Sequence, residues 1–133
     1  MKLRLSLVIA LFMMIVGAAG LSAADRTDPY TLDSKTHDFG TIKASNGKVS
    51  HTYTVTNISD QPIIITMVTN GGCGCTTPKW TREPIAPGES GEITVTFNPS
   101  GRKGEFKREV RARIESAQKK YTAKINFSGV IIP

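Results

Sequence analysis

The sequence predicts an all-β protein: a sandwich of seven or eight strands built by one small domain. Apolar and polar residues alternate with period two through most of the chain. No stretch repeats apolar residues at helical spacing over ten or more positions, and turn-forming clusters separate the alternating runs. Each alternating strand has one apolar face to bury, so many short strands favour two packed layers over one open sheet.

The N-terminus reads as an address rather than as part of the domain. Lys2 and Arg4 make a positive start, residues 5–16 are almost wholly apolar, and 17–24 are mostly small. That order is a secretory signal peptide spanning 1–24, with cleavage expected after Ala24. The apolar run is shorter than the ~20 residues a spanning helix needs, which favours a cleaved signal over an anchor. It holds no cysteine, which excludes lipidation there. The expected location is therefore periplasmic, extracellular or otherwise in the cell envelope. Taking 24 residues from 133 leaves 109 for residues 25–133, room for one domain and not two.

The strands follow in order. Two N-terminal pieces near 30–33 and 38–42 come first. Val49, His51, Tyr53 and Val55 alternate with Ser50, Thr52, Thr54 and Thr56. The run 62–68 is apolar on both faces, which predicts a central strand. Ile93, Val95 and Phe97 alternate with Glu92, Thr94 and Thr96. Phe106, Val110, Ala112 and Ile114 oppose Lys107, Glu109, Arg111, Arg113 and Glu115, and Tyr121, Ala123, Ile125 and Phe127 repeat the pattern. Turns are expected at 57–61, 71–74, 86–89, 98–101 and 116–119, where Gly, Pro, Asn, Asp and Ser gather.

Charge is uneven. The signal carries two of the 17 Lys and Arg and none of the 11 Asp and Glu, so the mature chain has 15 against 11, a formal +4. Residues 102–124 hold nine basic side chains against Glu105, Glu109 and Glu115. Most of these fall on the polar face of the last hairpin, where a solvated outer face is the default, and the excess also suits an anionic partner. Nucleic acid is not the expected partner, because the chain is exported and the basic residues lack interleaved exposed aromatics.

One motif carries unusual chemistry. Cys73-Gly74-Cys75 sits in a glycine-rich loop and is followed by Thr76-Thr77-Pro78-Lys79-Trp80. In an oxidising compartment the two thiols must be explained together. A disulfide between residues two apart removes only ~1.6 kcal/mol of unfolded-chain entropy, so it is a poor folding staple. Three uses stay open: a structural or idle disulfide, a redox pair, or a soft-metal site. In the last, Cys73 and Cys75 would hold an ion such as Cu(I), with His37 or His51 adding a nitrogen ligand. His51 lies on the apolar face of its strand, where a hydrogen-bonded core histidine is the default, and for His37 the default is a local bond to a turn. Trp80 is either a core plug or an aromatic anchor beside the loop. Gly74 and Thr76 complete the candidate binding or redox set.

Conventional catalysis lacks its parts. There is no Gly-x-Ser-x-Gly elbow, no phosphate-binding glycine loop before a helix, and no paired acids with an evident cleft. No catalytic residue is nominated and no cofactor is expected, copper aside.

Several motifs together resemble a known family. Phe39-Gly40-Thr41-Ile42, Val49-x-His51-x-Tyr53, Asn57, Cys73-Gly74-Cys75-Thr76-x-Pro78-x-Trp80 and Pro84-Ile85-x-Pro87-Gly88-Glu89-x-Gly91 occur in that order. With the 101–106 segment, they look like the exported bacterial family termed domain of unknown function 1573. Gly72 stands where a serine is common. The resemblance implies an immunoglobulin-like β-sandwich akin to Hydin-type and major-sperm-protein domains, in envelope proteins, and implies no reaction. Two functions follow as expectations. One is a non-enzymatic envelope module that binds a protein or another envelope component through loops and sheet edges. The other is a thiol redox or copper-handling protein using Cys73 and Cys75.

Overall fold

The computed structural model describes residues 28–133, so the expected signal peptide and its expected cleavage after Ala24 lie outside the described residues. Two four-stranded sheets face each other, as the alternation requires. The first contains β1 (Tyr30–Leu32), β3 (Val49–Asn57), β6 (Ser90–Phe97) and β5 (Thr76–Trp80), in the order β1-β3-β6-β5. The second contains β2 (Thr36–Lys43), β8 (Lys120–Ile132), β7 (Gly104–Glu115) and β4 (Ile64–Val68), in the order β2-β8-β7-β4. All pairs are antiparallel except β2 with β8, which run parallel. A single 3-10 turn at Ala44–Asn46 links β2 to β3. Among the described residues no helix is long and apolar enough to cross a membrane.

The alternating faces meet as expected. Tyr53, Val55, Ile93, Val95 and Phe97 from one sheet pack against Phe106, Val110, Ile114, Ile125 and Phe127 from the other. On the outer face of the first sheet the threonines form a hydroxyl ladder between β3 and β6. Ser50 meets Thr96 at 2.8 Å, Thr52 meets Thr94 at 2.9 Å, and Thr56 meets Ser90 at 2.9 Å. Lys107, Arg111 and Arg113 are exposed on the outer face of β7, in the register their spacing predicts. Gly129 in β8 has a steric reason: a Cβ there would lie 2.8 Å from the Phe106 ring and from the Gly40 carbonyl.

Two expectations need correction. The run 62–68 yields β4, which is an edge strand and not a central one. Only one face is buried, by Ile63, Ile65 and Val68, while Ile64 is partly exposed and Thr66 exposed; Ile63, just before the strand, pairs through its backbone with Ile85 of the β5–β6 segment. A register shift between Ile65 and Met67 then turns Met67 outward, half exposed. The strand β5 was not anticipated. Its five residues contain Pro78, tolerated because β5 lies at the edge of its sheet.

Candidate functional site

β4 and β5 are the edge strands on the same side of the sandwich, one in each sheet. Residues 69–75 must therefore cross the rim of the core, which gives the Cys-Gly-Cys loop its shape. The loop is tied down along its whole length. Thr69 N–H donates to the Arg111 carbonyl at 2.9 Å, and Gly72 N–H donates to Asn70 Oδ1 at 2.9 Å. At the far end, Thr76 N–H donates to the Cys73 carbonyl at 3.2 Å, and Asn98 N–H donates to the Cys75 carbonyl at 2.8 Å. Gly71 has φ of 68°, and a Cβ there would collide with the Glu109 carbonyl, so only glycine lets the loop lie this close to β7.

Cys73 and Cys75 are joined in a disulfide with their Cα atoms 5.1 Å apart. Their surroundings differ. Cys75 is only 9 % exposed and belongs to the core, and Thr76 beside it is 3 % exposed. Cys73 is half-buried against that core. Its Sγ accepts from Arg102 Nη2 at 3.4 Å and from the Cys75 N–H at 3.2 Å. The nearest hydroxyl to Cys75 Sγ is Thr76 Oγ1 at 3.6 Å. Gly74 is exposed at the tip.

The other sequence candidates fall elsewhere. Trp80 is five residues beyond Cys75 along β5, about 16 Å away at strand rise. It is partly buried against the core, and the Arg82 guanidinium lies 4.3 Å from its ring centroid. His37 and His51 stack on each other at 3.6 Å between ring centroids, closing the side of the sandwich between β2 and β3. The local turn bond anticipated for His37 belongs to its neighbour, since Asp38 Oδ1 accepts from the Gly40 N–H at 2.7 Å. Burial first, and then the adjacent His37, hold the His51 imidazole below its ordinary pKa, with Asp33 pulling the other way. Burial and Asp33 push the Tyr53 phenol up to about 12. His51 is level with Val95 and Pro78, two strand spacings or about 10 Å across the sheet from β5. The structure thus brings the two cysteines together and the two histidines together, but not the four. Among the described residues no group of three or more His, Cys, Asp and Glu is placed to hold a metal ion.

Sequence reasoning counted Arg102 and Lys103 in the basic 102–124 stretch but did not place them, or Lys43 and Lys48, at the end that holds the loop. The strand ends and turns at this end of the sandwich carry Lys43, Lys48, Arg102 and Lys103 against one acidic residue, Glu105. The opposite end carries Asp28, Asp60, Glu83, Glu89 and Glu115 against Arg82, Lys119 and Lys120. The domain is therefore electrically polar along the strands. β4 pairs with β7 only from Ala112 to Glu115, so farther along β7 the Cys loop takes the place of a strand. Between loop and strand lies a cavity of about 420 Å³ lined by Gly71, Gly72, Lys107, Arg108, Glu109 and Arg111. Arg111 is engaged by Glu109 at 3.2 Å. Arg108, on the same face of β7 as Phe106 and Val110, is half-buried, and its Nε has no hydrogen-bond partner among the described residues.

Comparison with known proteins bears on this arrangement. Residues 30–131 match the model of the family described as "Protein of unknown function (DUF1573)". The chain belongs to the DUF1573 family. The match includes the Cys loop, β5 and the basic turn at 101–103. No curated protein matches the sequence. Solved structures share the fold of this DUF1573 domain at low identity. The Vibrio cholerae VesB protease superposes with a TM-score of 0.66 at 18 % identity, over 77 % of this chain and 32 % of that one. The PapD-like domain 7 of human CEP192 gives 0.61 at 11 %, over 78 % and 85 %. WR4, a C. elegans member of the major-sperm-protein family, gives 0.52 at 10 %, over 80 % and 100 %. The DUF1573 chain thus spans about a third of the protease chain and nearly all of the other two domains. The immunoglobulin-like sandwich implied by the family resemblance is the fold observed.

Proposed function

We propose that the protein is a non-enzymatic, exported module of the cell envelope that binds an envelope partner at the Cys-loop end, taking an acidic segment of it against β7. The observation that carries this reading is Arg108. The Arg108 Nε–H is buried without an acceptor among the described residues, a cost of about 1–3 kcal/mol that is relieved if the half-buried side chain turns toward an anionic acceptor in the cavity. The cavity beside it opens on the loop, and the surrounding end is basic, so an anionic segment is drawn to the place where Arg108 waits. Loops suit this role better than edges here. β5 presents Pro78, which has no N–H, β2 and β4 are both bulged, and β1 is only three residues long, so none of the four edges offers a long regular strand for an added one.

The reading is tested by placing a photo-crosslinking side chain at Ser100, beside the loop, or at Ala117, at the acidic end, in cells that make the protein. Ser100 is expected to yield a discrete adduct with an envelope component, and Arg108→Gln to weaken it. Equal capture from Ala117, or capture from Ser100 indifferent to Arg108, would contradict the proposal.

A further inference from the structure

The two sulfurs of the Cys loop stand in unequal surroundings. Cys73 is partly buried at the rim, and two donors converge on its Sγ: the Arg102 guanidinium at 3.4 Å and the Cys75 N–H at 3.2 Å. A cation and a backbone N–H aimed at one sulfur stabilise the thiolate that forms when the bond opens. Cys75 is 9 % exposed, with only the neutral Thr76 hydroxyl at 3.6 Å. Lys43, Lys48 and Lys103 on the neighbouring turns add a field that favours thiolates and attracts them. A three-residue ring contributes little to folding, about 1.6 kcal/mol in chain entropy, so stability alone does not account for the pair.

We infer that the Cys73–Cys75 bond is a transferable disulfide, passed to the dithiol of an exported partner protein, with Cys73 as the residue that forms the mixed disulfide. A partner thiolate attacks Cys73 Sγ, the more accessible of the two sulfurs. The Cys73–Cys75 bond breaks, and Cys75 leaves with the electron pair and takes a proton from water. The second partner thiolate then attacks the partner's own sulfur in the mixed disulfide, and the bond to Cys73 breaks. Cys73 departs as a thiolate into the contacts with Arg102 and the Cys75 N–H. The partner dithiol loses two electrons and two protons and becomes a disulfide. The loop gains both electrons, Cys75 holds one proton, and the other goes to solvent. Stabilising the departing Cys73 thiolate speeds the second step and favours the reduced loop, which makes the oxidised loop a donor of disulfides. The transfer stands whether or not the basic end also binds its partner by charge.

The probe is a synthetic peptide carrying two cysteines, mixed in reduced form with the oxidised protein under anaerobic conditions and followed by mass spectrometry. The peptide is expected to become oxidised as the loop becomes reduced, one for one. Arg102→Gln should slow the exchange by about threefold to tenfold, and Arg102→Lys should retain most of the rate. With the single-thiol variants and an aryl disulfide reagent, Cys73 in Cys75→Ser should react at least about tenfold faster than Cys75 in Cys73→Ser. A loop that stays oxidised against the folded protein's full complement of peptide dithiol would overturn the inference. So would an Arg102→Gln variant that exchanges as fast as the parent, or a Cys75 that outpaces Cys73.

Discussion

Phe127→Ala is expected to lower the unfolding free energy by about 3–5 kcal/mol, read from urea denaturation. Phe127 is 1 % exposed and sits where β8 is flanked on both sides, paired with His37 of β2 and Arg108 of β7. Its ring meets Phe39 edge-on at 5.9 Å, Phe97 at 5.8 Å and Phe106 at 6.3 Å, and Phe97 stacks on Phe106 at 4.5 Å. Phe97 belongs to one sheet and the other three to the second, so removing the Phe127 ring leaves a cavity at the junction of the layers that neither sheet can close alone. The disulfide gives the useful contrast. Cys73→Ser with Cys75→Ser removes a three-residue ring, and its loss should stay below about 2 kcal/mol. A double-serine protein less stable than Phe127→Ala would make the loop the staple of the fold.

Asn57→Ala is expected to cost about 2–4 kcal/mol although it removes no apolar group. Asn57 ends β3 fully buried and uses every hydrogen-bonding position of its amide. Nδ2 donates to the Gln61 carbonyl at 2.7 Å and the Ile85 carbonyl at 2.9 Å, while Oδ1 accepts from the Ser59 N–H at 2.9 Å and hydroxyl at 2.7 Å. Its backbone adds bonds to Glu89 and Gly88. One side chain thus fastens the β3–β4 turn to the β5–β6 connection at the end opposite the Cys loop. Asn57→Asp keeps the size but turns both donors into acceptors facing carbonyls, so at neutral pH it should destabilise more than alanine does. Thermal denaturation of the two variants checks this order; an aspartate variant as stable as the parent would mean the amide is not holding the two connections.

The strands with one buried face were legible because solvent and core select residues in opposite ways at successive positions. That is why β3, β6, β7 and β8 fall where Val49–Asn57, Ser90–Phe97, Gly104–Glu115 and Lys120–Ile132 alternate. Edge or centre was not legible for β4, since its largely apolar spelling reads as two covered faces, while in the fold Ile64 stays partly and Met67 half exposed. Asn57 reads locally as a turn residue, and nothing in its neighbours announces that two connections will wrap around its amide. The Cys-Gly-Cys motif was evident, but its electrostatics were not. Arg102 reaches Cys73 across 29 residues of chain, and Arg108 reaches the loop because β4 stops pairing at Ala112. Alternation would place Arg108 in the core beside Phe106 and Val110, and that conflict with its charge was the one signal in the sequence that could have marked the site.

Stability resides in the phenylalanine cluster and the Asn57 end, and the proposed binding is assigned to the Cys-loop end. The most direct measurement takes the envelope component captured through Ser100. Its affinity is compared for the parent protein and for a variant with Lys43, Lys48, Lys103 and Arg108 all changed to Gln, alongside the unfolding midpoint of each. Binding is expected to be at least about tenfold weaker, with its salt dependence lost and an unfolding midpoint that holds or rises. Undiminished affinity in the variant would contradict that assignment.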